Sequence, residues 1–188
     1  MLELYHAPMS TCSQKVRICL AEKGLEWVDR RLNLAKNEHL TPAYLTLNPN
    51  GVVPTLVHDG QPVVDSSVIC EYLDEVFPEP PLGGATPIKR AEIRAWMRFL
   101  EEVPTTAIRA PSINKLFMSA LPESGQRAFA DFREKMPLRK HFFREMGLTG
   151  FSDAKVAESL ERLRSTLERV QLALGAWAAE ICEARSLG

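Results

Sequence analysis

The residues best suited to chemistry in this chain form a short turn near the N-terminus. The segment Pro8-Met9-Ser10-Thr11-Cys12-Ser13 places three hydroxyls and one thiol between a strand-like run and a helix-like run. The free N–H groups and partial positive charge at the N-terminus of a helix stabilise an anion. A thiolate is such an anion, so we interpret Ser10 as a hydrogen-bond donor to the sulfur of a bound thiol. The alternative is that Ser10 and Thr11 only cap the helix.

A single hydroxyl and a helix end can supply the free energy that this interpretation requires. A free thiol has a pKa of about 8.5, so only about 3% of it is ionised at neutral pH. Lowering that pKa by about two units requires about 2.7 kcal/mol of preferential thiolate stabilisation. A charge-assisted hydrogen bond contributes about 1.5–3 kcal/mol, and the helix end adds about 0.3–1 kcal/mol. Together they suffice for an exogenous thiol.

Two further segments are candidate binding elements. Asp65-Ser66 directly follows a strand-like run and begins a helix, so its carboxylate can bind an ammonium while its hydroxyl and free amides bind a carboxylate. This combination suits the zwitterionic end of an amino acid, although helix capping alone also explains it. Val53-Pro54 opens a strand, a position where proline is tolerated. The local sequence does not indicate whether this peptide bond is cis.

The elements that position these residues alternate in the first part of the chain as βαβαββα. Thr11 and Gln14 have the spacing of a capping box, and Gly24 is suited to the left-handed residue that ends the helix. Asp59-Gly60 between two apolar runs predicts a type I′ hairpin. The predicted strands are Leu2–Tyr5, Trp27–Leu34, Thr55–His58 and Gln61–Val64, and the predicted helices begin at Thr11, at Asn37 (to Leu47, interrupted by Pro42) and at Asp65-Ser66-Ser67. Such an order predicts a four-stranded mixed sheet with helices on both faces.

The second part of the chain is predicted to be an all-helical bundle. Prolines and glycines in residues 80–86 predict a linker between an N-terminal domain, 1–79, and a helical domain, 87–188. One helix follows Pro87, and a helical stretch over Leu121–Met146 is broken by Pro122 and Pro137. An apolar stripe then follows helical spacing at Val156, Leu160, Leu163, Leu167, Val170 and Leu174. We expect this stripe to pack on neighbouring helices of its own domain, because it is shorter than four heptads.

Composition excludes several classes of function. Lys and Arg number 23 against 24 Asp and Glu, so the chain lacks the basic surface of a nucleic-acid-binding protein. No apolar run reaches the length of a membrane span, and the N-terminus does not have the pattern of a signal peptide. The four cysteines are scattered, without a CxxC pair, and indicate free thiols in the cytoplasm. The four histidines are also scattered, so we expect no metal site.

Taken together, the three candidate segments resemble the cytosolic glutathione transferases. The resemblance rests on the strand–Ser-turn–helix, on Asn48-Pro49-Asn50-Gly51-Val52-Val53-Pro54-Thr55-Leu56, and on Asp65-Ser66-Ser67-Val68-Ile69-Cys70-Glu71-Tyr72-Leu73. It covers residues 1 to about 100 well and the remainder loosely. It implies an α+β thioredoxin-like N-terminal domain followed by an all-α helical bundle, a cis peptide before Pro54, glutathione as co-substrate and a homodimer.

The resemblance also implies roles for individual residues. Ser10 matches the serine that hydrogen-bonds the glutathione sulfur, as in the serine-type theta and zeta classes. The backbone of Val53, beside Pro54, matches the residue that pairs with the glutathione cysteine. Asp65 and Ser66 match the pair that holds the γ-glutamyl group. His39 lies in the segment that often contacts the glycine carboxylate. A one-residue gap would instead place Cys12 on the catalytic cysteine of beta-class enzymes.

The function implied is transfer of the glutathione thiolate to an electrophilic apolar small molecule. The electrophile would lie between the loop that contains Pro8 and Met9 and the first helix of the helical domain, near Trp96, Met97 and Leu100. The runs 68–78 and 87–94 resemble the β-etherase branch, which cleaves aryl ethers with glutathione. Two other functions stay open: a non-catalytic glutathione-binding protein, and a glutaredoxin-like oxidoreductase that uses Cys12.

Two departures from the family pattern bear on these expectations. Val52 stands where many members have Lys or Gln, so one side-chain contact to glutathione is missing. Residues 176–188 also lack the capped, buried helix that follows the corresponding helix in the family. The helical domain is therefore expected to be short.

Overall fold

The N-terminal part of the chain forms a four-stranded mixed sheet. The computed structural model describes residues 1–84, 86–133, 136–138, 140–147 and 149–186, apart from the side chains of residues 117, 120, 128, 130–133, 140 and 178–186. The strands lie in the order β2-β1-β3-β4, with β1 parallel to β2 and antiparallel to β3, and with β3 antiparallel to β4. Their bounds are β1 Leu2–His6, β2 Val28–Arg31, β3 Thr55–His58 and β4 Gln61–Val64. The predicted mixed sheet is confirmed.

Three helices complete the predicted βαβαββα order, two of them between strands and the third after β4. They are α1 (Thr11–Glu22), α2 (Pro42–Leu47) and α3 (Ser66–Val76). The main core lies between the sheet and the pair α1 and α3, because the apolar residues at helical spacing point towards the inward side chains of β1 and β3. Its fully buried members are Leu4, Val16, Leu20, Leu56, Ile69 and Leu73.

Two turns have the backbone geometry that their residues predict. Asp59 and Gly60, which join β3 to β4, both have positive φ angles of 48° and 82°, as a type I′ turn requires. Gly24 follows α1 with φ of 62°, the left-handed conformation that glycine adopts at low cost. The two turns therefore set the hairpin register and the end of the first helix.

Two predicted boundaries differ from the structure, and one local assignment is refined. α1 begins at Thr11 as predicted, and its N-cap is Ser10 instead of the Thr11 of the predicted capping box: the Ser10 backbone is extended, and its hydroxyl accepts a hydrogen bond from the N–H of Ser13. β2 is shorter than Trp27–Leu34 because it pairs only with β1, which ends at His6 opposite Arg31. Pro42 begins α2 rather than interrupting a helix, since the first helical position needs no N–H donor.

The segment that follows α3 is held by a buried cation. The ammonium of Lys23 is fully buried and lies 2.6 Å from the Asp74 carboxylate. It also donates hydrogen bonds to the carbonyl oxygens of Phe77 and Pro80, at 2.7 and 2.8 Å. The Asp74 carboxylate in turn accepts hydrogen bonds from the N–H groups of Leu82 and Gly83. These contacts hold the proline- and glycine-rich segment after α3 in an ordered conformation.

The remainder of the chain is helical, as predicted. Two compact units divide the chain: residues 1–97 with 131–143, and residues 98–130 with 144–188. The predicted domain bounds, 1–79 and 87–188 with a linker at 80–86, stay a prediction. The further helices are α4 Pro87–Glu102, α5 Pro104–Ala107, α6 Arg109–Ser112, α7 Glu123–Arg133, α8 Lys140–Arg144 and α9 Asp153–Ser186, with a π-helical turn at Ile113–Phe117.

The long helix α9 does not bury the whole apolar stripe that the sequence predicts. It packs on α5 and α6 through a face that includes the small polar residues Ser159 and Thr166, both buried. Leu160, Leu167 and Leu174 are 52%, 69% and 55% exposed. Small side chains allow close approach of the neighbouring helices, and the Thr166 hydroxyl is satisfied by the Arg162 carbonyl at 2.8 Å. The expectation that the stripe packs within its own domain is therefore wrong for these three leucines.

Among the described residues, no helix combines the length and the apolar content needed to cross a bilayer. The long helix α9 carries many charged residues, which lower its mean hydropathy.

Candidate functional site

The register of the sheet brings the three candidate segments to one end of it. Tyr5 of β1 lies opposite Thr55 of β3, and Thr55 lies opposite Val64 of β4. These three residues form one row across the sheet. Because β1 and β4 end just beyond this row and β3 begins there, the Pro8–Ser10 turn, Val53-Pro54 and Asp65-Ser66 all lie at the same end of the sheet.

Ser10 lies at the N-terminus of α1 and is partly exposed. Its oxygen accepts a hydrogen bond from Ser13 N at 3.3 Å, and its carbonyl begins the helix by accepting from Gln14 N at 2.9 Å. The side-chain bond uses a lone pair of the oxygen and does not consume the hydroxyl proton. Ser10 can therefore cap the helix and donate to a bound anion at the same time, so the two interpretations of this residue are compatible.

The turn before Ser10 is held from the helix that follows it. The carbonyl of Pro8 accepts hydrogen bonds from Gln14 Nε2 at 3.2 Å and from Arg17 Nη2 at 3.4 Å. Met9, at the tip, is 74% exposed. Neither the clamping role of the Gln14 side chain nor that of Arg17 was predicted from the sequence. Their spacing of four and seven residues from Ser10, typical of one helix face, is the signal that could have indicated them.

Asp65 combines a capping role with an unusual backbone conformation. Its Oδ1 accepts from the N–H groups of Ser67 and Val68 at 2.9 and 3.2 Å, so it is the N-cap of α3 as predicted. Its φ of 73° with ψ of 126° is rare for a residue other than glycine and costs about 1–3 kcal/mol. Such strain is characteristic of functional sites, because the surroundings must hold the residue in place. Ser66, next to it, is buried.

Val53 and Pro54 are joined by a cis peptide bond, as the family resemblance implies. Both residues are buried, and a hydrogen-bonded network brackets them. The Tyr44 hydroxyl donates to the Val52 carbonyl at 2.6 Å, and Asn48 Nδ2 donates to the same oxygen at 3.0 Å. The hydroxyls of Tyr44 and Thr55 are 2.8 Å apart, and Asn48 also donates to the Thr55 hydroxyl.

This network was not predicted from the sequence, although Asn48 lies inside the segment Asn48–Leu56 that carries the family resemblance. Tyr44, Asn48 and Thr55 are almost fully buried, so their polar groups require partners. Burial raises the pKa of the Tyr44 phenol, only partly offset by its hydrogen bonds to Thr55 and Asn48. The tyrosine is therefore a neutral structural donor, and the network fixes the backbone that flanks the cis bond.

Two contacts join the three segments. Ala7, which precedes the Ser10 turn, forms a small buried cluster with Tyr44 and Val53. On the other side, the Lys15 ammonium of α1 donates a hydrogen bond to the Ser67 hydroxyl in the first turn of α3, at 2.8 Å. The candidate site therefore consists of the N-termini of α1 and α3 and the cis-proline segment, all at one end of the sheet. Lys15 lies close to the N-terminus of α3.

The other predicted residues take no part in the contacts just described. His39 lies in a 3₁₀ turn, Glu38–Leu40, and is buried. Cys12 is half-buried in the first turn of α1. On α4, Trp96 is half-buried and Leu100 is partly exposed. Met97 lines a cleft between α3 and α4, whose other walls are Glu71, Asp74, Glu75, Gly83, Arg90, Ile93 and Arg94. The substrate-binding role of the α4 residues stays a prediction.

Among the described side chains, no group of three or more His, Cys, Asp and Glu residues is gathered as a metal site would require. The site is instead defined by hydroxyls, backbone amides and one carboxylate. A mixed β2-β1-β3-β4 sheet, a Ser-capped first helix and a cis-proline immediately before β3 define a thioredoxin-like fold.

Comparisons with known proteins agree with this class. The model of the glutathione S-transferase N-terminal domain matches residues 9–76. A stringent starvation protein A homolog from Haemophilus influenzae is 36% identical over 157 residues, which cover 81% of this chain and 70% of that protein. The protein LigF from Sphingobium sp. is 43% identical over 103 residues, 54% of this chain and 40% of LigF. The chain belongs to the glutathione S-transferase family.

Solved structures extend the likeness beyond the N-terminal domain. The crystal structure of the beta-etherase LigF matches with a TM-score of 0.79 at 29% identity, covering 93% of this chain and 73% of that one. A glutathione transferase homolog from sulfitobacter, solved with bound glutathione, matches with a TM-score of 0.55 at 25% identity, covering 89% and 83%. Sequence matches to three curated relatives of 43–48% identity span only 37–45% of their own lengths.

Proposed function

We propose that this chain binds glutathione at the candidate site and uses its sulfur as a nucleophile towards an electrophilic apolar small molecule. The observation that carries the proposal is the convergence of Ser10, Val53 and Asp65 at one end of the sheet, which follows from the Tyr5–Thr55–Val64 row. Glutathione has a thiol in its middle residue and a zwitterionic group at one end. A site for it therefore needs a thiolate donor, a backbone partner and an amino-acid clamp, and these three segments can supply them.

Each segment has a distinct role in this proposal. The Ser10 hydroxyl donates to the glutathione sulfur, and the N-terminus of α1 adds its partial positive charge. The backbone of Val53, held by the cis bond to Pro54, pairs with the glutathione cysteine. The Asp65 carboxylate binds the γ-glutamyl ammonium, and Ser66 at the start of α3 binds its carboxylate. His39, in the 3₁₀ turn Glu38–Leu40, contacts the glycine carboxylate.

The reaction proposed is a nucleophilic substitution. The glutathione thiolate forms a sulfur–carbon bond with the electrophile, and the bond to the leaving group breaks with its electron pair. Proton loss from the bound thiol, favoured by the Ser10 hydrogen bond and the helix end, precedes this step. The apolar substrate would lie against the Pro8–Met9 turn, where Met9 presents an exposed thioether, with Trp96, Met97 and Leu100 as further contacts.

A second candidate is glutathione-dependent cleavage of β-aryl ethers. The observation that favours it is the TM-score of 0.79 to the beta-etherase LigF over 93% of this chain. In that reaction the thiolate attacks the carbon that bears the ether oxygen, the carbon–oxygen bond breaks, and a phenolate leaves. The same Ser10 and helix N-terminus would serve both reactions, so only the electrophile distinguishes the two candidates.

The decisive experiment measures turnover of glutathione with an activated aryl halide and with a β-aryl ether by the 188-residue chain. Replacing Ser10→Ala is expected to reduce turnover by about 10²-fold or more, the scale seen when one oxyanion donor is removed. Ser10→Thr keeps a hydroxyl and a helix cap, and is expected to retain more activity. Thr11→Ala is the matched control, because it removes the adjacent, exposed hydroxyl.

The outcomes separate the proposal from its rivals. Unchanged turnover in Ser10→Ala contradicts the role of Ser10. Calorimetry that shows glutathione binding without turnover of any electrophile supports a non-catalytic binding protein. Loss of activity in Cys12→Ser, together with a mixed disulfide of Cys12 and glutathione, supports the glutaredoxin-like alternative. Sedimentation velocity tests the homodimer that the family resemblance implies.

A further inference from the structure

The packing of α1 on α3 places pairs of functional side chains opposite each other, one pair per turn. Lys15, Cys19 and Lys23 are four residues apart and therefore lie on one face of α1. At one end of this face, Lys15 Nζ donates to the Ser67 hydroxyl at 2.8 Å. At the other end, Lys23 Nζ lies 2.6 Å from the Asp74 carboxylate. The two helices therefore run side by side in the same direction.

Cys19 and Cys70 form the middle pair of this series. Cys19 is 6% exposed and belongs to the main core, and Cys70 packs against that core while keeping some exposure. The Lys15–Ser67 and Lys23–Asp74 contacts lie on either side of these two residues along the same helix pair, so helical spacing directs the two side chains towards each other. Both cysteines are free thiols in the structure. Two thiols that face each other can form an intramolecular disulfide, which a single thiol cannot.

The surroundings give the two sulfurs different acidity. The hydrogen bond from Cys70 lowers the pKa of Cys19, burial opposes that effect, and the Lys23 ammonium adds to the lowering. The same hydrogen bond and burial raise the pKa of Cys70. Cys70 is the more exposed of the two thiols, so it is the partner that a small disulfide can reach from solvent.

We propose that Cys19 and Cys70 are a dithiol redox site that closes reversibly into a disulfide between α1 and α3. The oxidant is a low-molecular-weight disulfide such as glutathione disulfide. One cysteine thiolate attacks this disulfide, forming a mixed disulfide and releasing one small thiolate. The second cysteine thiolate attacks the protein-bound sulfur and releases the other. The protein loses two electrons and two protons, and the small disulfide becomes two thiols.

This site differs from the candidate glutathione site at Ser10 and does not depend on it. Cys12, near that site, is not a member of the pair. The disulfide would nevertheless tie together the two helices whose N-termini carry Ser10 and Asp65. Oxidation is therefore expected to restrict the relative movement of these two helix starts.

The experiment uses the full chain with Cys12→Ser and Cys182→Ser, so that Cys19 and Cys70 are the remaining thiols. The reduced protein is equilibrated with mixtures of glutathione and glutathione disulfide, quenched with acid, alkylated and analysed by mass spectrometry. The expected result is joint loss of both thiols, the mass of two hydrogens lost, no retained glutathione, and a cross-linked peptide joining α1 and α3. Reductant is expected to restore both thiols, and the melting temperature is expected to rise on oxidation.

Single variants and the natural chain provide the controls. Cys19→Ser and Cys70→Ser in the same background are expected to form no cross-link and to show no reversible rise in melting temperature. Peptide mapping of the unmodified chain is expected to give the same cross-link, which guards against an effect of the background substitutions. A stable mixed disulfide on one cysteine with the other thiol free would overturn the proposal. So would two thiols that stay reduced throughout the series in a folded protein.

Discussion

The α1–α3 pair and the helix α9 both carry apolar residues at helical spacing, yet their surroundings differ. Leu20 of α1 and Ile69 of α3 are fully buried, and polar pairs follow the same interface at Lys15–Ser67 and Lys23–Asp74. On α9, Leu160, Leu167 and Leu174 of the stripe are largely exposed, while Ser159 and Thr166 are buried. Helical periodicity therefore indicates that a face is apolar, but the supporting elements decide which face is covered.

The polar pairs fix how α1 and α3 are aligned with each other. Core packing of leucines is tolerant of sliding, whereas a buried ammonium with three acceptors has one favourable position. The α9 face in contact with α5 and α6 has hydroxyls of small residues instead. Substitutions at the α1–α3 interface are therefore expected to lower the free energy of unfolding much more than substitutions on the exposed face of α9.

The largest effect is expected for Asp74→Asn. This change keeps the shape but removes the charge that compensates the fully buried Lys23 ammonium, so the free energy of unfolding should fall by about 3–5 kcal/mol. Urea unfolding followed by circular dichroism measures it. Glu75→Gln, on the neighbouring and exposed carboxylate, is the matched control, with an expected change within about 0.5 kcal/mol. Equal costs for the two variants would show that Lys23 does not depend on Asp74.

The second effect compares leucines in the two regions. Leu20→Ala creates a cavity in the core and should cost about 2–5 kcal/mol of unfolding free energy. Leu167→Ala, at a side chain that is 69% exposed, should change it by less than about 0.5 kcal/mol. The same urea titration gives both values. A loss of unfolding free energy for Leu167→Ala as large as that for Leu20→Ala, whatever the protein concentration, would mean that this face of α9 is covered in solution.

The smallest effect is a pH dependence that the buried ion pair produces. Burial raises the pKa of Asp74, but the hydrogen bonds from Lys23 and from the Leu82 and Gly83 N–H groups outweigh it, so the net pKa lies below its ordinary value of 3.8. A carboxyl with a lowered folded-state pKa stabilises the protein above the unfolded-state pKa. That stability is lost as the pH falls through 3.8 towards the folded value.

The expected result is a difference in slope. Between about pH 6 and about pH 3, the unfolding free energy of the natural chain should fall more steeply than that of Asp74→Asn, which has no proton to bind at this position. Parallel curves for the two proteins would contradict a lowered pKa at Asp74. Urea midpoints at several pH values, with constant ionic strength, provide the measurement.

Much of the candidate site was predictable because its elements are local. The hairpin at Asp59-Gly60, the helix start at Asp65 and the strand bounds of β3 and β4 follow from turn chemistry and alternation over a few residues. For the cap of α1 the sequence offered both Ser10 and Thr11, because two consecutive hydroxyl residues satisfy the local pattern. The structure shows that Ser10 is the N-cap.

The contacts that join distant segments were not predictable in the same way. Tyr44, Asn48 and Thr55 form their network only when α2 lies beside the cis-proline segment. Cys19 and Cys70 were interpreted as unrelated thiols, because their sequence spacing matches no motif and only the packing of α1 on α3 brings them together. For the same reason, residues of α4 stay predicted substrate contacts without a geometric argument.

The amino-acid sequence by itself determined the order of strands and helices, the turn types, and the helix N-termini where an anion can bind. These properties depend on side-chain and backbone preferences within a few residues. The tertiary structure decided which end of the sheet collects the candidate residues, which face of α9 is buried, and which cysteine opposes which. Those outcomes depend on strand register and helix packing, where residues far apart in sequence must satisfy each other's volume, charge and hydrogen bonds.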